Sequence, residues 1–490
     1  MSVGAVPTRA RWRVLAVVSI AQLMAIVDDS IVAIALPSAQ RDLGFGDAAR
    51  PWVVTAYALA FGSLLLLGGR LIDLLGAKRV FVTGVAGFAV ASAVGGAAPG
   101  FGVLVAARAG QGVCAALLAP SALALLALSF NETADRGRAF GVFGAVGGAG
   151  GAAGLLLGGV LTATWGWRWC MYVNVVFAAI ALAGALRWLP GRTTVRRTRL
   201  DWPGAALVCA GLFGLVFGLS HAAEQGWNAP VTLAALVAGA LILAWLALHM
   251  RRAPQPLLPV TVVRDRTRAA SLLVIFAGGV GSFVLSFVLT YYFQRTRGSG
   301  PLLTGAAFLP MVAAIVTSSI VAGSVLLPRL GPRVTAPAGL VLLAAAVGLG
   351  AFDRTTGYVT RILPVMVVAG AGIGIALGSA INLATQRLDG STAGVGASLV
   401  NTVQQVGGAM GTAAVNTIAV GISGGGGPSV ASEVNGYTGA LRATAVTVFL
   451  LACCAFTMYP GPGRPAPSRP AGPRGRGRGP GGRRGFRRRW

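Results

Sequence analysis

Val14-Leu15-Ala16-Val17-Val18-Ser19-Ile20-Ala21-Gln22-Leu23-Met24-Ala25-Ile26-Val27-Asp28-Asp29-Ser30-Ile31-Val32-Ala33-Ile34-Ala35-Leu36 is a 23-residue run that is almost wholly apolar. As a helix rising 1.5 Å per residue it is about 34 Å long, enough to cross the ~30 Å hydrocarbon core of a bilayer. It is too long for a signal-peptide core and carries two adjacent acids, so it reads as a retained spanning helix.

The same pattern recurs along the chain. Apolar runs of spanning length lie at 14–36, 52–72, 80–98, 102–126, 139–163, 169–189, 203–220, 230–249, 269–292, 303–326, 334–352, 360–381, 397–419 and 438–458, which predicts fourteen spans. Composition agrees. The 490 residues are 55% hydrophobic and 11% charged, with a mean hydropathy of +0.75. A soluble domain is about 25% charged, so this chain lacks the polar residues to cover a water-facing surface. The expected fold class is all-α integral membrane.

The formal net charge is +27, but its placement points to a membrane rather than to nucleic acid. Ten of the 40 basic residues follow Tyr459, in a tail ending Arg487-Arg488-Arg489-Trp490. With an even span count, the loops on the side of the termini hold 21 basic residues before the tail is added, and those on the other side hold 8. That bias predicts cytoplasmic termini. The Arg-rich, Gly- and Ala-rich composition, with Lys78 as the sole lysine, suggests a bacterial inner membrane. The tail reads as a disordered segment attracted to anionic lipid. Cys114, Cys170, Cys209, Cys453 and Cys454 fall in apolar runs without metal-ligand spacing. No metal and no cofactor are expected, and the absence of a Gly-x-x-x-x-Gly-Lys-Ser/Thr loop leaves an ion gradient as the energy source.

A turn repeats. Gly68-Gly69-Arg70-Leu71-Ile72-Asp73-Leu74-Leu75-Gly76-Ala77-Lys78-Arg79 follows the second span, and Arg329-Leu330-Gly331-Pro332-Arg333 follows the tenth. Aligning Gly76 with Gly331 brings Gly68 onto Gly323 and Lys78 onto Arg333. Six spans would then form each of two parallel units, with the seventh and eighth inserted, an arrangement used by transporters. The corresponding divisions are 1–189, a linker with two inserted helices at 190–268, 269–458, and the tail 459–490.

These segments resemble the major facilitator superfamily, in its fourteen-helix drug:proton antiporter branch. Val27-Asp28-Asp29-Ser30-Ile31-Val32-Ala33-Ile34-Ala35-Leu36-Pro37 is similar to the branch's first-helix signature, with Ala33 where Asn is usual. Trp52 to Leu59, the Gly69 to Arg79 turn, and Leu104, Arg108, Gln111 and Gly112 match further patterns, as do Trp167-Arg168-Trp169, Asp201 with Gly204, Gly226-Trp227, Tyr291 to Gln294, Gly298 to Pro310 and Asn401 to Gly411. Two departures occur, Leu155 in the fifth span and Val176 in the sixth, each standing where Pro is usual. The resemblance implies two six-helix bundles, alternating access, and export of amphipathic drugs or antibiotics in exchange for protons by a monomer. A dedicated metabolite exporter or importer, or a non-transporting sensor, fits the same fold. With His221 and His249 far apart and no acid cluster, no enzyme constellation is visible.

Asp28 and Asp29 are the acids deep in a span, and an ionised side chain there costs about 3 kcal/mol or more. Asp28, which the resemblance singles out, is expected to take and release a proton; the alternative is a fixed packing ion pair. Asp29 points about 100° away on the helix and is expected to have no coupling role. Arg108 fits two roles, a cation that tunes Asp28 or a permanent structural partner, and Gln111 lies one turn further along its face. Asp73, Lys78 and Arg79 are expected to form a conformational latch, against the alternative of a solvated turn. Gly150, Gly154, Gly158 and Gly159 are expected to be a helix-packing face. Gln404 and Gln405 stand where some relatives of this branch carry a second acid, which implies few coupling protons. His221 and Glu224 read as loop residues at an outer helix end, and Trp12, Trp165 and Trp188 as interfacial anchors.

Overall fold

The computed structural model describes residues 8–46, 49, 52–130, 133–189, 201–252, 265–350, 356–386, 393–423 and 430–460. The chain runs through long helices. The first eight are α1 (Thr8–Leu43), α2 (Trp52–Leu75), α3 (Ala77–Gly96), α4 (Phe101–Ser129), α5 (Thr133–Thr164), α6 (Arg168–Trp188), α7 (Trp202–Gln225) and α8 (Pro230–Arg252). After them come α9 (Arg266–Tyr291), α10 (Pro301–Val321), α11 (Pro332–Gly348), α12 (Leu363–Ala384), α13 (Ala393–Ser423) and α14 (Val430–Met458). Single π turns extend α9 over Tyr292–Thr296 and α10 over Ala322–Leu326, and lead into α12 over Tyr358–Ile362.

Among the described residues, 11 helices are long and apolar enough to cross a membrane. The expected count was fourteen. The helices outside the 11 are α11, which stops at 17 residues, and two with fewer apolar side chains: glycine-rich α5, and α13 with Asn401, Thr402, Gln404 and Gln405. Small and polar residues belong on helices that face other helices rather than lipid. By contrast α8 presents Val231, Leu233, Val237, Leu241 and Leu248 outward, a face suited to lipid.

The packing has an internal repeat. In the first group α1 packs on α5 and α6, α2 on α4, and α3 on α4 and α6. In the second α9 packs on α13 and α14, α10 on α12, and α11 on α12 and α14. Shifting the helix number by eight maps one set onto the other. The joints between the groups obey the same rule: α2 meets α13, and α5 meets α10. The repeated turn explains part of this. Gly76 and Gly331 both have positive φ, 91° and 74°, a conformation that a Cβ disfavours, and each starts the third helix of its group. The α7–α8 hairpin rests through α7 on α2 and α13, one helix from each group.

The two groups are drawn together at the end that carries these turns. Gly137 on α5 and Gly323 on the π turn of α10 touch backbone to backbone; a Cβ added at Gly323 would lie 2.7 Å from the Gly137 carbonyl oxygen. Further along, Gly141 and Gly144 meet Ile320 and Ser319. At the opposite end a separate apolar cluster of Val27, Ile31, Val32, Leu36, Val53 and Leu104, with Trp167 and Met171, draws on the first group alone. There Asp42 at the end of α1 accepts from Trp167 Nε1 at 3.0 Å and pairs with Arg168. The Trp167 hydrogen bond and the Arg168 guanidinium hold its carboxyl below the usual carboxylate range. Tyr459, placed in the tail by the sequence, is instead buried and bonded to Ser271 on α9 at 2.9 Å. From residue 461 on, the Arg-rich tail lies outside the described residues.

Candidate functional site

Asp28, Arg108 and Gln111 come together in the first group, and all three are 0% exposed. Arg108 Nη1 donates to Asp28 Oδ2 at 2.5 Å. Gln111 Nε2 donates to Asp28 Oδ1 at 2.9 Å, and Asn174 Nδ2 on α6 donates to the same oxygen at 2.6 Å. The carboxylate thus collects donors from α4 and α6 while its own helix, α1, seals the third side. Charge-assisted bonds of this kind are the strong ones, and they offset the desolvation of an ion pair buried among apolar helices.

The second layer holds the first. Arg108 Nε donates to the Val53 carbonyl of α2 at 3.1 Å, and Nη1 also to Gln111 Oε1 at 2.9 Å. Gln111 Nε2 spends its other hydrogen on Ser92 Oγ of α3 at 2.7 Å. Arg108 Nη2 has no hydrogen-bond partner among the described residues, but the guanidinium carbon lies 4.5 Å from the centre of the Tyr57 ring, whose face attracts a cation. The network therefore joins five helices, α1, α2, α3, α4 and α6. Sequence reasoning missed Asn174, Ser92 and Tyr57. For Asn174 a signal existed, an amide inside the apolar run Met171–Trp188; Ser92 and Tyr57 carry none. One acceptor in the network is left over: Asn174 Oδ1 is buried and without a partner among the described residues.

Asp29 stands apart. Although adjacent to Asp28, it is exposed, and its carboxylate lies within electrostatic reach of Arg108, Asp28 and Tyr57.

At the turn end Asp73 reaches across to the second group. Its Oδ1 accepts the backbone N–H of Gly394 at 3.0 Å, in the first turn of α13, where a carboxylate also meets the positive end of the helix dipole. Lys78 does not join this contact. It donates to the Leu186 and Leu189 carbonyls at the end of α6, at 3.3 and 2.8 Å, and so braces the first group internally. Arg79 is exposed. Of the three expected latch residues, Asp73 is the one placed at the joint.

A second cross-group contact was not foreseen. Arg136, in the first turn of α5, donates through Nε to Asn382 Oδ1 at 2.9 Å and through Nη2 to Thr385 Oγ1 at 2.8 Å, both at the end of α12. Its Nη1 also holds the Ala127 and Phe130 carbonyls at the end of α4. A cation at two helix C-termini matches their negative ends. In the sequence Arg136 is one of several loop arginines, and nothing separates it from Arg138.

Of Gly150, Gly154, Gly158 and Gly159 on α5, all but the last pack on α1. A Cβ at Gly150 would meet Ile26, at Gly154 Ser30 and the Val27 carbonyl, and at Gly158 Ile31. Gly159 faces open space, because it lies about 100° round the helix from Gly158. The close contact brings α5 against the helix that bears both acids.

Comparison with known proteins agrees with this architecture. The model of the Major Facilitator Superfamily matches residues 18–412. The chain is 47% identical over 459 residues to the puromycin resistance protein pur8 of Streptomyces alboniger, covering 91% of this chain and 90% of that protein. It is 35% identical to the cephamycin export protein CmcT of Amycolatopsis lactamdurans, covering 89% and 90%, and 31% identical to the tetracenomycin C resistance and export protein of Streptomyces glaucescens, covering 83% and 76%. The human organic anion transporter MFSD10 has the same fold at a TM-score of 0.62, covering 91% of this chain and 99% of that one, with 15% sequence identity.

Proposed function

The chain belongs to the major facilitator superfamily, and on that premise we propose that it exports small amphipathic drugs or antibiotics across a bacterial inner membrane in exchange for protons. The names of its relatives, resistance and export proteins for puromycin, cephamycin and tetracenomycin C, support the substrate class. The helices α1 to α14 are read as fourteen spans with both termini cytoplasmic, in accord with the basic bias of the loops. Residues 1–189 and 269–458 are read as the two moving units, 190–268 as the linker with its inserted hairpin, and the chain as a working monomer.

The observation that carries the coupling assignment is the sealed pairing of Asp28 with Arg108, Gln111 and Asn174 in the middle of an apolar bundle. In the state described here the ends read as cytoplasmic are joined, by Asp73 to α13 and by Arg136 to α12. All three partner groups present donors to the Asp28 oxygens. When a proton arrives, the Asp28 O–H needs an acceptor. Asn174 Oδ1 is unpartnered among the described residues, and rotation of that amide by half a turn presents oxygen in place of nitrogen. The same side chain thus serves both protonation states. Protonation also strips Arg108 of its counter-charge, which changes the relative energies of the two open faces and so shifts their populations. One charge moved through 100 mV supplies about 2.3 kcal/mol, enough to drive such a shift.

The test uses inverted membrane vesicles. Asp28→Asn is expected to abolish proton-driven drug accumulation while gradient-free exchange of drug across the membrane persists. Full proton-driven transport by this variant would remove Asp28 from the coupling role.

A second reading differs in breadth. Two of the relatives are named for export of one compound each, which favours a dedicated exporter over a multidrug one. A panel of unrelated antibiotics in the same vesicles separates the two: transport of one chemotype alone supports the dedicated exporter.

A further inference from the structure

The two joints between the groups, α2 on α13 and α5 on α10, are built alike down to single glycines. A Cβ at Gly69 on α2 would lie 2.6 Å from the Gly394 carbonyl oxygen of α13, and a Cβ at Gly394 would strike the Gly69 carbonyl in turn. The second joint repeats the pattern. A Cβ at Gly323 on α10 would lie 2.7 Å from the Gly137 carbonyl oxygen of α5, and one at Gly137 would strike the Gly323 carbonyl. In all four cases the obstacle is backbone, which has no rotamer to yield, so a side chain there forces the two helices apart.

The counterpart of Gly323 is therefore Gly69, and not Gly68 as alignment of the turns implies. Gly68 packs inside its own group, against the Ala116 carbonyl of α4. Packing deeper in the helices fixes the same register. Gly112 on α4 lies against the Tyr57 carbonyl and Ala60 of α2, and Gly370 on α12 lies against the Met311 carbonyl and Ala314 of α10. Tyr57 stands 12 residues before Gly69, and Met311 stands 12 before Gly323.

Beyond the joints the counts part. Seven residues lead from Gly69 to the turn glycine Gly76, and eight lead from Gly323 to Gly331. The extra residue falls in the π turn Ala322–Leu326, where the Leu327 N–H bonds back five residues to the Ala322 carbonyl. Pro328 accounts for the turn. It has no N–H to donate and its ring crowds the carbonyl four residues back, so regular α geometry does not run through it. The corresponding place in α2, three residues before the turn glycine, holds Asp73, and α2 is α-helical from Trp52 to Leu75. In a regular helix one added residue rotates everything beyond it by about 100°. Gly323 and Gly331 could not then both keep their places, one on Gly137 and the other at the start of α11. A single π turn absorbs one residue within an α-helix.

We propose that the π turn of α10 is a register device, which seats Gly323 on Gly137 as Gly69 is seated on Gly394 and so lets the second joint close. Export requires that joint, on the reading of the chain as an exporter, but closure itself is measured without substrate or proton gradient. Full-length protein in lipid nanodiscs is followed by hydrogen–deuterium exchange, and export is measured in inverted vesicles. Gly323→Val is expected to raise exchange at residues 137–144 threefold or more, to leave residues 104–112 of α4 unchanged, and to reduce export tenfold. No rise at 137–144, or a rise that extends to 104–112, overturns the assignment of the joint. Deleting Val325 together with Pro328→Ala gives α10 the seven-residue spacing of α2. Exchange at 137–144 and export are both expected to stay within twofold of the wild type. Deleting Val316, two turns before Gly323, rotates that glycine away from Gly137 and is expected to raise the exchange and reduce export tenfold or more. Failure of the Val325 deletion to insert, or exchange at 137–144 as high as in the Val316 deletion, overturns the register role. Normal exchange with export lost in the Val325 deletion overturns it too, because the π turn then serves transport in some way other than register. Failure of the exporter reading is a different result: no drug transport by the wild type, with the exchange pattern intact.

Discussion

At the scale of single residues, the decisive feature is that Asp28 and Asp29 share a sequence environment but not a structural one. Both lie in the same apolar run, and the physics of burial marks both as costly. Which of them is sealed depends on where Arg108, Gln111 and Asn174 stand, on helices 80 or more positions away. Asn174 gives a prediction at this scale. It supplies one of three donors to a fully buried carboxylate, and a hydrogen bond to a charged group contributes about 1.5–3 kcal/mol. Asn174→Leu is expected to lower the thermal midpoint of the detergent-solubilised protein by several degrees and to slow proton-driven export, with Asn174→Asp no substitute because it adds a second buried acid. An unaltered midpoint and export rate would show that Arg108 and Gln111 hold Asp28 without it.

At the scale of elements, helix ends join the two groups. Asp73 meets the start of α13 and Arg136 the end of α12, each charge matched to the dipole end it touches. The two contacts use different helix pairs and need not break together. Removing one charge-assisted bond, worth about 1.5–3 kcal/mol, is expected to shift the balance between open and closed states by roughly tenfold or more. Asp73→Asn and Arg136→Gln should each reduce export several-fold at normal membrane insertion, and the double variant should lose more than either. Normal efflux by Asp73→Asn would return this turn to the role of a solvated connection. Asp73 was legible as a charged residue in a Gly-rich turn that recurs later in the chain. Its partner was not, because Gly394 contributes a backbone N–H, and any residue type but proline has one.

At the scale of the whole molecule, the order of packing repeats with an offset of eight helices, and the α7–α8 hairpin bridges α2 and α13. An even number of spans puts both termini on one side. Topology reporters fused at Gly226, in the α7–α8 connection, and at Gly461, after α14, are expected to report opposite sides of the membrane. The same side for both would mean that one span is miscounted.

Much of this protein was written in local sequence. Lipid selects for runs of about 20 apolar residues, so the membrane class and the approximate helices follow from composition along the chain, and the expected orientation follows from the unequal share of arginines in the two sets of loops. The turns at Gly76 and Gly331 are local too, since a positive φ calls for glycine wherever the chain needs it. The tertiary structure alone decided that Arg136 rather than Lys78 or Arg79 shares the closure with Asp73, that Gly159 turns away from the α1–α5 contact, and that Asp29 is the acid left accessible. Each of these depends on how a helix is rotated about its axis against a distant neighbour. In a sequence that is apolar on nearly every face, the hydrophobic pattern does not set that rotation; side-chain packing and the pairing of a few buried polar groups do.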